Sequence, residues 1–313
     1  MIETVGSAFT ITPEGPFSWA AARSGLGSFA PVARHASPGS DTVRMTFPLD
    51  GDFAPTAVAL TYLDGTLKGE VVGSTRTEAA ARQVARIFAL DHDGSGYWDL
   101  GRREPKLGRV LVELEGLRQI SFTCPYECAA WAVMSQRISK RQAATAQLWL
   151  AREHGTALTV AGETVHCFPT PEQLLEVERV PGLSQVKVER LHGVAEAALA
   201  GRLDVDRLLG LGPVGAPKSL RTIAGIGDFW SEGIYLRACG VVDVFPNEPI
   251  SIAALGHLHG LGDRPEPAAI AELTDLYRPY RMWVCYLLRV AAARGIISGL
   301  GGRETEIRGL ARV

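Results

Sequence analysis

The sequence predicts an α+β N-terminal unit, a small antiparallel sheet with helices, followed by a mostly helical body. Three observations carry that expectation. Alternating apolar patterns are confined to the first ninety residues, helix-period patterns dominate from about residue 105, and short Gly/Pro breaks separate the helical stretches. Phe9-Thr-Ile-Thr12 reads as a strand and Phe17 to Phe29 as an amphipathic segment with small residues. Thr42 to Phe47 and Ala57 to Tyr62 alternate like strands, and Asp64-Gly65 supplies a hairpin turn into Leu67 to Val72. Ala79, Val84, Ile87 and Phe88 then recur at helical spacing, with Ser74 or Thr75 placed to cap. Further helices are expected over 125–154, 171–180, 184–200, 204–210, 217–223, 228–239, 249–259, 266–276 and 278–294. No internal repeat is evident.

A chain of 313 residues has room for two domains. With 32 basic and 34 acidic residues the formal charge is -2, so any contact with a polyanion is local rather than a field over the whole surface. No apolar run is long enough to span a bilayer, and the start lacks a basic segment leading into an apolar one, so a cytoplasmic protein without membrane contact is expected. The five cysteines (124, 128, 167, 239, 285) are scattered and suit buried small hydrophobes in a reducing compartment rather than a redox pair or an iron–sulfur site.

Ala224-Gly-Ile-Gly227 is the most informative short motif. It joins a short helix at Lys218–Ile223 to a longer one over Asp228–Cys239. Gly225 and Gly227 both permit backbone conformations closed to other residues, which lets the two helices pack closely. Outward-pointing amides and the dipole of the second helix make an anion site sized for a phosphate, with Lys218 and Arg221 adding charge. Asp228 favours that helix N-terminus yet sets negative charge beside the same site.

The residues around this turn resemble the helix-hairpin-helix–GPD superfamily, and within it the 3-methyladenine-DNA glycosylase II family, from about Val84 to Arg289. The resemblance rests on Leu90-Asp-His-Asp93, Pro125-Tyr-Glu127 leading into Ser135-Gln-Arg-Ile-Ser139, and Phe168-Pro-Thr-Pro-Glu-Gln-Leu174. It continues through Lys187, Gly201-Arg-Leu-Asp204, Gly225-Ile-Gly227 with Leu236-Arg237, Asp243-Val-Phe-Pro246 and Tyr277-Arg-Pro-Tyr-Arg281. It implies a TBP-like α+β subdomain over 1–90 and a glycosylase body of two helical halves with a cleft over 91–295. Residues 296–313 read as a tail.

The resemblance further implies a monomeric enzyme on double-stranded DNA that swings a damaged base out of the helix. By its motifs Gln136 and Arg137 fall at the loop that fills the gap, although a solvated helix charge is the plainer reading of Arg137. Lys218, Arg221, Gly225, Gly227 and Ser231 fall at the DNA-facing hairpin. Phe229, Trp230 and Tyr280 fall at the base pocket, where electron-rich rings suit a cationic methylated purine, although each also suits an ordinary core. Backbone carbonyls of Arg221, Ile223 and Ile226 fall where such hairpins hold a monovalent cation. No cofactor is needed for catalysis. Related lyases carry a lysine where Phe229 stands, which points to a monofunctional enzyme using water.

One position departs from the family pattern. The catalytic aspartate aligns with Pro249, and proline neither stabilises an oxocarbenium-like sugar nor polarises water. Three readings stay open: Glu248 takes over from the adjacent position, a cationic leaving base needs little help, or the chain only recognises damage. Two other constellations are weaker. Asp91-His-Asp-Gly-Ser-Gly-Tyr-Trp-Asp99 imitates a calcium loop but has Arg102 where a glutamate is required. His257-Leu-His259 suggests a metal hydrolase, but residues two apart diverge on a helix and no acidic partner stands at ligand spacing.

Overall fold

The computed structural model describes residues 1–37, 39–297 and 300. Most of the expected tail at 296–313 therefore lies outside the described residues. Five strands form one antiparallel sheet: β1 (Ile2–Val5), β2 (Ala8–Ile11), β3 (Val43–Pro48), β4 (Pro55–Leu63) and β5 (Thr66–Val72), in the order β1-β2-β5-β4-β3. Helices α1 (Trp19–Ser28) and α2 (Thr77–Ile87) contribute to the core on one face, where Phe9, Ile11, Met45, Phe47, Val58 and Leu60 meet Leu26, Val84 and Phe88. Neither Ser74 nor Thr75 caps α2. Arg76 is the cap residue, and Ser74 Oγ accepts the Arg76 amide one step earlier.

The body opens with two helices the periodicity did not reveal, α3 (Ser95–Arg103) and α4 (Pro105–Glu113). Glu104 caps α4 by accepting the Lys106 and Leu107 amides, with Pro105 in the first turn where a missing N–H costs nothing. The stretch expected as one helix over 125–154 is two: α5 (Pro125–Met134) and α6 (Lys140–Glu153). The chain breaks because Arg137 adopts φ 54° and Ser139 with Gln142 forms a capping box that restarts the helix. All ten residues of α5 are buried, so it is the central rod of the body.

Strand signals do not end at residue 105. A hairpin of β6 (Ala157–Val160) and β7 (Glu163–His166) turns at Ala161-Gly162. Leu158, Val160 and Val165 cover Ala57, Ala59 and Val72 on the far face of the sheet. That explains why β4 is buried on both faces through its first half. Four-residue strands are too short for their alternation to stand out.

The remaining helices are α7 (Pro171–Leu175), α8 (Gln185–Leu199), α9 (Val205–Leu220), α10 (Asp228–Ala238), α11 (Pro249–His259), α12 (Pro267–Asp275) and α13 (Arg281–Ala293). The two segments expected at 204–210 and 217–223 run together as α9, broken only at Gly212 (φ 69°) ahead of Pro213. Two apolar clusters divide the body into halves. One gathers α5, α6, α8, α9 and α10, the other α3, α4, α11 and α13, and Phe245 packs against both. No helix among the described residues is long and apolar enough to cross a membrane.

A buried polar seam joins sheet and body. Glu127 on α5 accepts from Arg34 Nη2 (2.7 Å), Gln147 Nε2 (2.8 Å) and the Thr123 hydroxyl, while Arg34 Nη1 donates to Thr46 Oγ1 on β3 (2.8 Å). All five cysteines are free and buried, and Cys124 Sγ accepts the Glu127 amide at the start of α5.

Candidate functional site

The turn between α9 and α10 is built on one glycine rather than two. Gly225 has φ 92°, and a Cβ there would lie 3.0 Å from Arg190 Cδ and 3.4 Å from Val133 Cγ2. Both the conformation and the close approach require glycine. Gly227 has φ -91°, which any residue adopts, and nothing lies within 4 Å of its Cβ direction. The expectation that both glycines serve backbone freedom is therefore corrected. Gly227 instead leaves open space at the N-terminus of α10, where unpaired amides and the helix dipole favour an anion.

The turn is tied to the α5–α6 loop. Gln136 Nε2 donates to the Gly225 carbonyl (2.5 Å), and its Oε1 accepts from Arg190 (3.2 Å). Lys187 Nζ on α8 donates to the Met134 and Gln136 carbonyls (2.7 and 2.6 Å). Partial burial, then neighbouring Arg190, lowers the Lys187 pKa. Gln136 thus spends its side chain holding two loops together. Next to it, Arg137 is exposed at the apex of the left-handed turn. Its placement off both helices removes the reading of an ordinary solvated helix charge.

Lys218 is exposed, and Arg221 is paired with Asp228 (2.7 Å) directly over the turn. Ser231 does not fit its expected DNA contact. It is buried at 0 % exposure, and its hydroxyl donates to the Asp228 carbonyl inside the first turn of α10. The Ile223 carbonyl already accepts the Ile226 amide (3.0 Å) within the turn.

The expected aromatic trio is not brought together. Tyr280 packs against Tyr97 and Trp283 in the other helical half, and its hydroxyl donates to the Asp93 carbonyl (2.9 Å). It is core. Phe229 is 70 % exposed beside the turn, in edge contact with Trp230. Trp230 turns inward to Phe122 (6.3 Å between ring centres), which meets Phe29 edge-on at 4.9 Å. The sequence reading missed Phe29 and Phe122 because they come from the N-terminal unit and the link after α4, far from the motif in sequence.

Arg237 closes this aromatic group. Its guanidinium carbon lies 4.0 Å from the Phe29 ring centre and 5.8 Å from that of Phe122. Its Nη2 donates to the Ile120 carbonyl, and its own carbonyl accepts the Phe122 amide (3.0 Å). Burial brings its pKa down to about 10, with Arg289 pushing the same way and Tyr286 opposing. Tyr286 and Arg289, whose charges act on it, both belong to α13. Lys140, at the start of α6, has its pKa lowered by partial burial and then by Arg289.

Glu248 caps α11. Its Oε2 accepts from the Ser251 amide (2.7 Å) and hydroxyl (2.6 Å), and its Oε1 from Arg289 (2.7 Å). The side chain keeps 19 % of its surface exposed. Pro249 follows in the first helical turn, so the carboxylate reaches back over the start of α11 from the cap position. Asp243 is held by Arg278 (2.8 Å) and Arg281 (2.7 Å), which binds its loop to the start of α13.

Neither metal reading gains support. Arg118 donates to the carbonyls of Ala89, His92, Glu14 and Pro16, so a guanidinium fills the space around the 91–99 turn where calcium would need oxygens. His257 does have an acidic partner, Asp263, contrary to expectation, and His259 pairs with Tyr277 Oη (3.1 Å). The two rings go separate ways, and no cluster of three or more metal-binding side chains occurs among the described residues.

No family model matches the chain. It is 22% identical over 220 residues to the DNA-3-methyladenine glycosylase of Bacillus subtilis (strain 168), covering 67% of this chain and 70% of that protein. It is 27% identical over 210 residues to a probable bifunctional transcriptional activator/DNA repair enzyme AlkA of Mycobacterium tuberculosis. That match covers 66% of this chain but only 41% of the relative's length. Its fold is shared with 3-methyladenine DNA-glycosylase from Archaeoglobus fulgidus, at TM-score 0.72, 21% identity and coverage of 90% and 98% of the two chains. With the hairpin turn, the loop lashed to it and the two-halved body, the chain is thus similar in sequence to a DNA-3-methyladenine glycosylase and to an AlkA-type repair enzyme, and it shares the fold of a 3-methyladenine DNA-glycosylase.

Proposed function

We propose that this chain is a DNA-repair N-glycosylase that releases alkylated purines from duplex DNA. The observation that carries the proposal is the joined pair of loops. Gly225 and Gly227 offer a phosphate-sized anion site, and Gln136 fixes Arg137 at a set distance from it. A backbone phosphate on the hairpin would leave Arg137 facing the base stack. The flipped base would enter between the halves, with Trp230, Phe122 and Phe29 as its apolar wall. Monofunctional hydrolysis follows from Phe229 standing in the lysine position of lyases. Glu248 is the carboxylate nearest the vacant aspartate position, and the carbonyls of Arg221, Ile223 and Ile226 would hold a monovalent cation that adds charge beside the phosphate. A monomer acting in the cytoplasm is part of this reading.

Release of free base from methylated duplex DNA by the purified chain tests it. No release, together with tight binding to an abasic-site analogue, favours the second reading of a damage-binding protein without chemistry. One observation speaks for that second reading: Ser251 and Arg289 already engage both carboxylate oxygens of Glu248.

Asp228→Asn is expected to tighten duplex binding by roughly two- to fivefold, because it removes a negative charge at the anion site worth ~0.3–1 kcal/mol. It also frees Arg221. Fluorescence anisotropy at low and moderate salt checks this, and the gain shrinks as salt rises. Unchanged affinity at low salt would remove the hairpin from the DNA-contact surface.

A further inference from the structure

We infer that Lys187 is the positioning residue that aims Arg137 at the base stack, an inference that rests on the glycosylase reading above. Helix α5 ends at Met134, and the last carbonyls of a helix have no partner within it. Just beyond, Arg137 holds φ 54°, in the left-handed region that a side chain makes unfavourable. No glycine stands there to relieve the strain, so something outside the loop must hold it. Lys187 does so from α8, its Nζ donating to the Met134 carbonyl (2.7 Å) and to the Gln136 carbonyl (2.6 Å). The positive charge also sits where the dipole of α5 favours a cation.

The second of these bonds bears directly on Arg137. The Gln136 carbonyl lies in the rigid peptide plane that precedes Arg137, and the φ of Arg137 is the rotation of its Cα against that plane. Pinning this oxygen to a neighbouring helix therefore fixes one side of the torsion that aims the Arg137 side chain. Helix α8 is a firm anchor, since its Val188, Leu191 and Val194 are buried in the same apolar core as α5. The Gln136 side chain is tied separately, to the Gly225 carbonyl and to Arg190. The two restraints have different duties. The Gln136 amide sets the distance from the hairpin, and the Lys187 ammonium sets the direction in which Arg137 leaves the backbone. Lys187 is half-buried and commits two of its three donors to protein carbonyls, which sets it apart from a phosphate-binding lysine.

Fluorescence anisotropy on two duplexes tests the inference, one with a central tetrahydrofuran abasic analogue and one intact, for wild type, Lys187→Met, Arg137→Ala and the double variant. Wild type is expected to prefer the abasic duplex. Lys187→Met and Arg137→Ala should each cut that preference by about tenfold, and the double variant should lose no more than either alone. Affinity of Lys187→Met for the intact duplex and its slope against salt should match wild type, whereas loss of a phosphate-binding lysine lowers that slope by about one unit. Lys187→Cys alkylated with bromoethylamine regains an ammonium at nearly the same reach, and the preference should return with it. The five native cysteines are buried and escape the reagent. Additive losses, equal loss on both duplexes, a lowered salt slope, no recovery on alkylation, or no preference in wild type overturns the inference. Should Lys187→Met not fold, Lys187→Cys before and after alkylation decides, and failure of both to fold makes Lys187 a residue of the core and overturns it too. Base release from methylated duplex by wild type is scored separately. Release with additive losses sinks the inference and keeps the glycosylase reading, and coupled losses without release do the reverse.

Discussion

Glu127→Ala is expected to lower the unfolding free energy by about 3–5 kcal/mol, a large share of the ~5–15 kcal/mol typical of folded proteins. The reason lies in what is left behind. Arg34 is 9 % exposed at its side chain and Glu127 3 %, so the alanine variant strands a guanidinium in the interior with its partner gone. Gln147 and Thr123 lose their acceptor at the same time. Both sides of the seam are involved, since Arg34 also binds Thr46 and the His166 carbonyl. Urea unfolding followed by circular dichroism measures the change. The double variant Arg34→Met/Glu127→Leu should recover much of the loss, because it removes both charges from the interior together. A single-variant loss under about 1 kcal/mol would place this pair with ordinary surface contacts.

The second large effect concerns Glu248. If this carboxylate stabilises positive charge on the sugar, Glu248→Gln slows single-turnover base release by about 10²–10³-fold, the cost of losing one well-placed electrostatic group. Glutamine keeps the shape and one acceptor for the Ser251 amide, so the cap and the fold survive better than with alanine. Duplex affinity should change little, which separates a chemical role from a binding one. Pro249→Asp restores a carboxylate at the family position and places it in the first turn of α11, where negative charge is favoured. A rate in that variant above wild type would show that the position, rather than the fold, limits the chemistry. A Glu248→Gln rate equal to wild type would remove Glu248 from catalysis.

How much of this was legible beforehand follows physical lines. Long elements with one apolar face, such as α2 and α13, carry their period in the sequence. So did the hairpin turn, because local backbone demands select glycine at Gly225. What escaped detection depends on distant partners. The hairpin of β6 and β7 exists because Ala57 and Ala59 leave room for it on the sheet, a fit between segments a hundred residues apart. Helices α3 and α4 were hidden behind an acidic turn that imitates a metal loop, and Arg118, which occupies that turn, lies outside the motif. The aromatic group beside the hairpin was the least legible part. Motif alignment nominated Tyr280, which the fold buries against Tyr97, and passed over Phe29, which only tertiary packing brings beneath Arg237.

Gln136 joins the apex loop of Arg137 to the Gly225 turn, and Lys187 and Arg190 brace the joint from α8. Clasp and probe are therefore one solid piece, like the fixed jaws of a caliper. On the proposed reading such a piece needs no separate closing motion to interrogate a base pair, since holding the backbone already sets the probe against the stack. The ordering cost of that geometry was met when the chain folded, so each encounter along a duplex begins with the gauge already set.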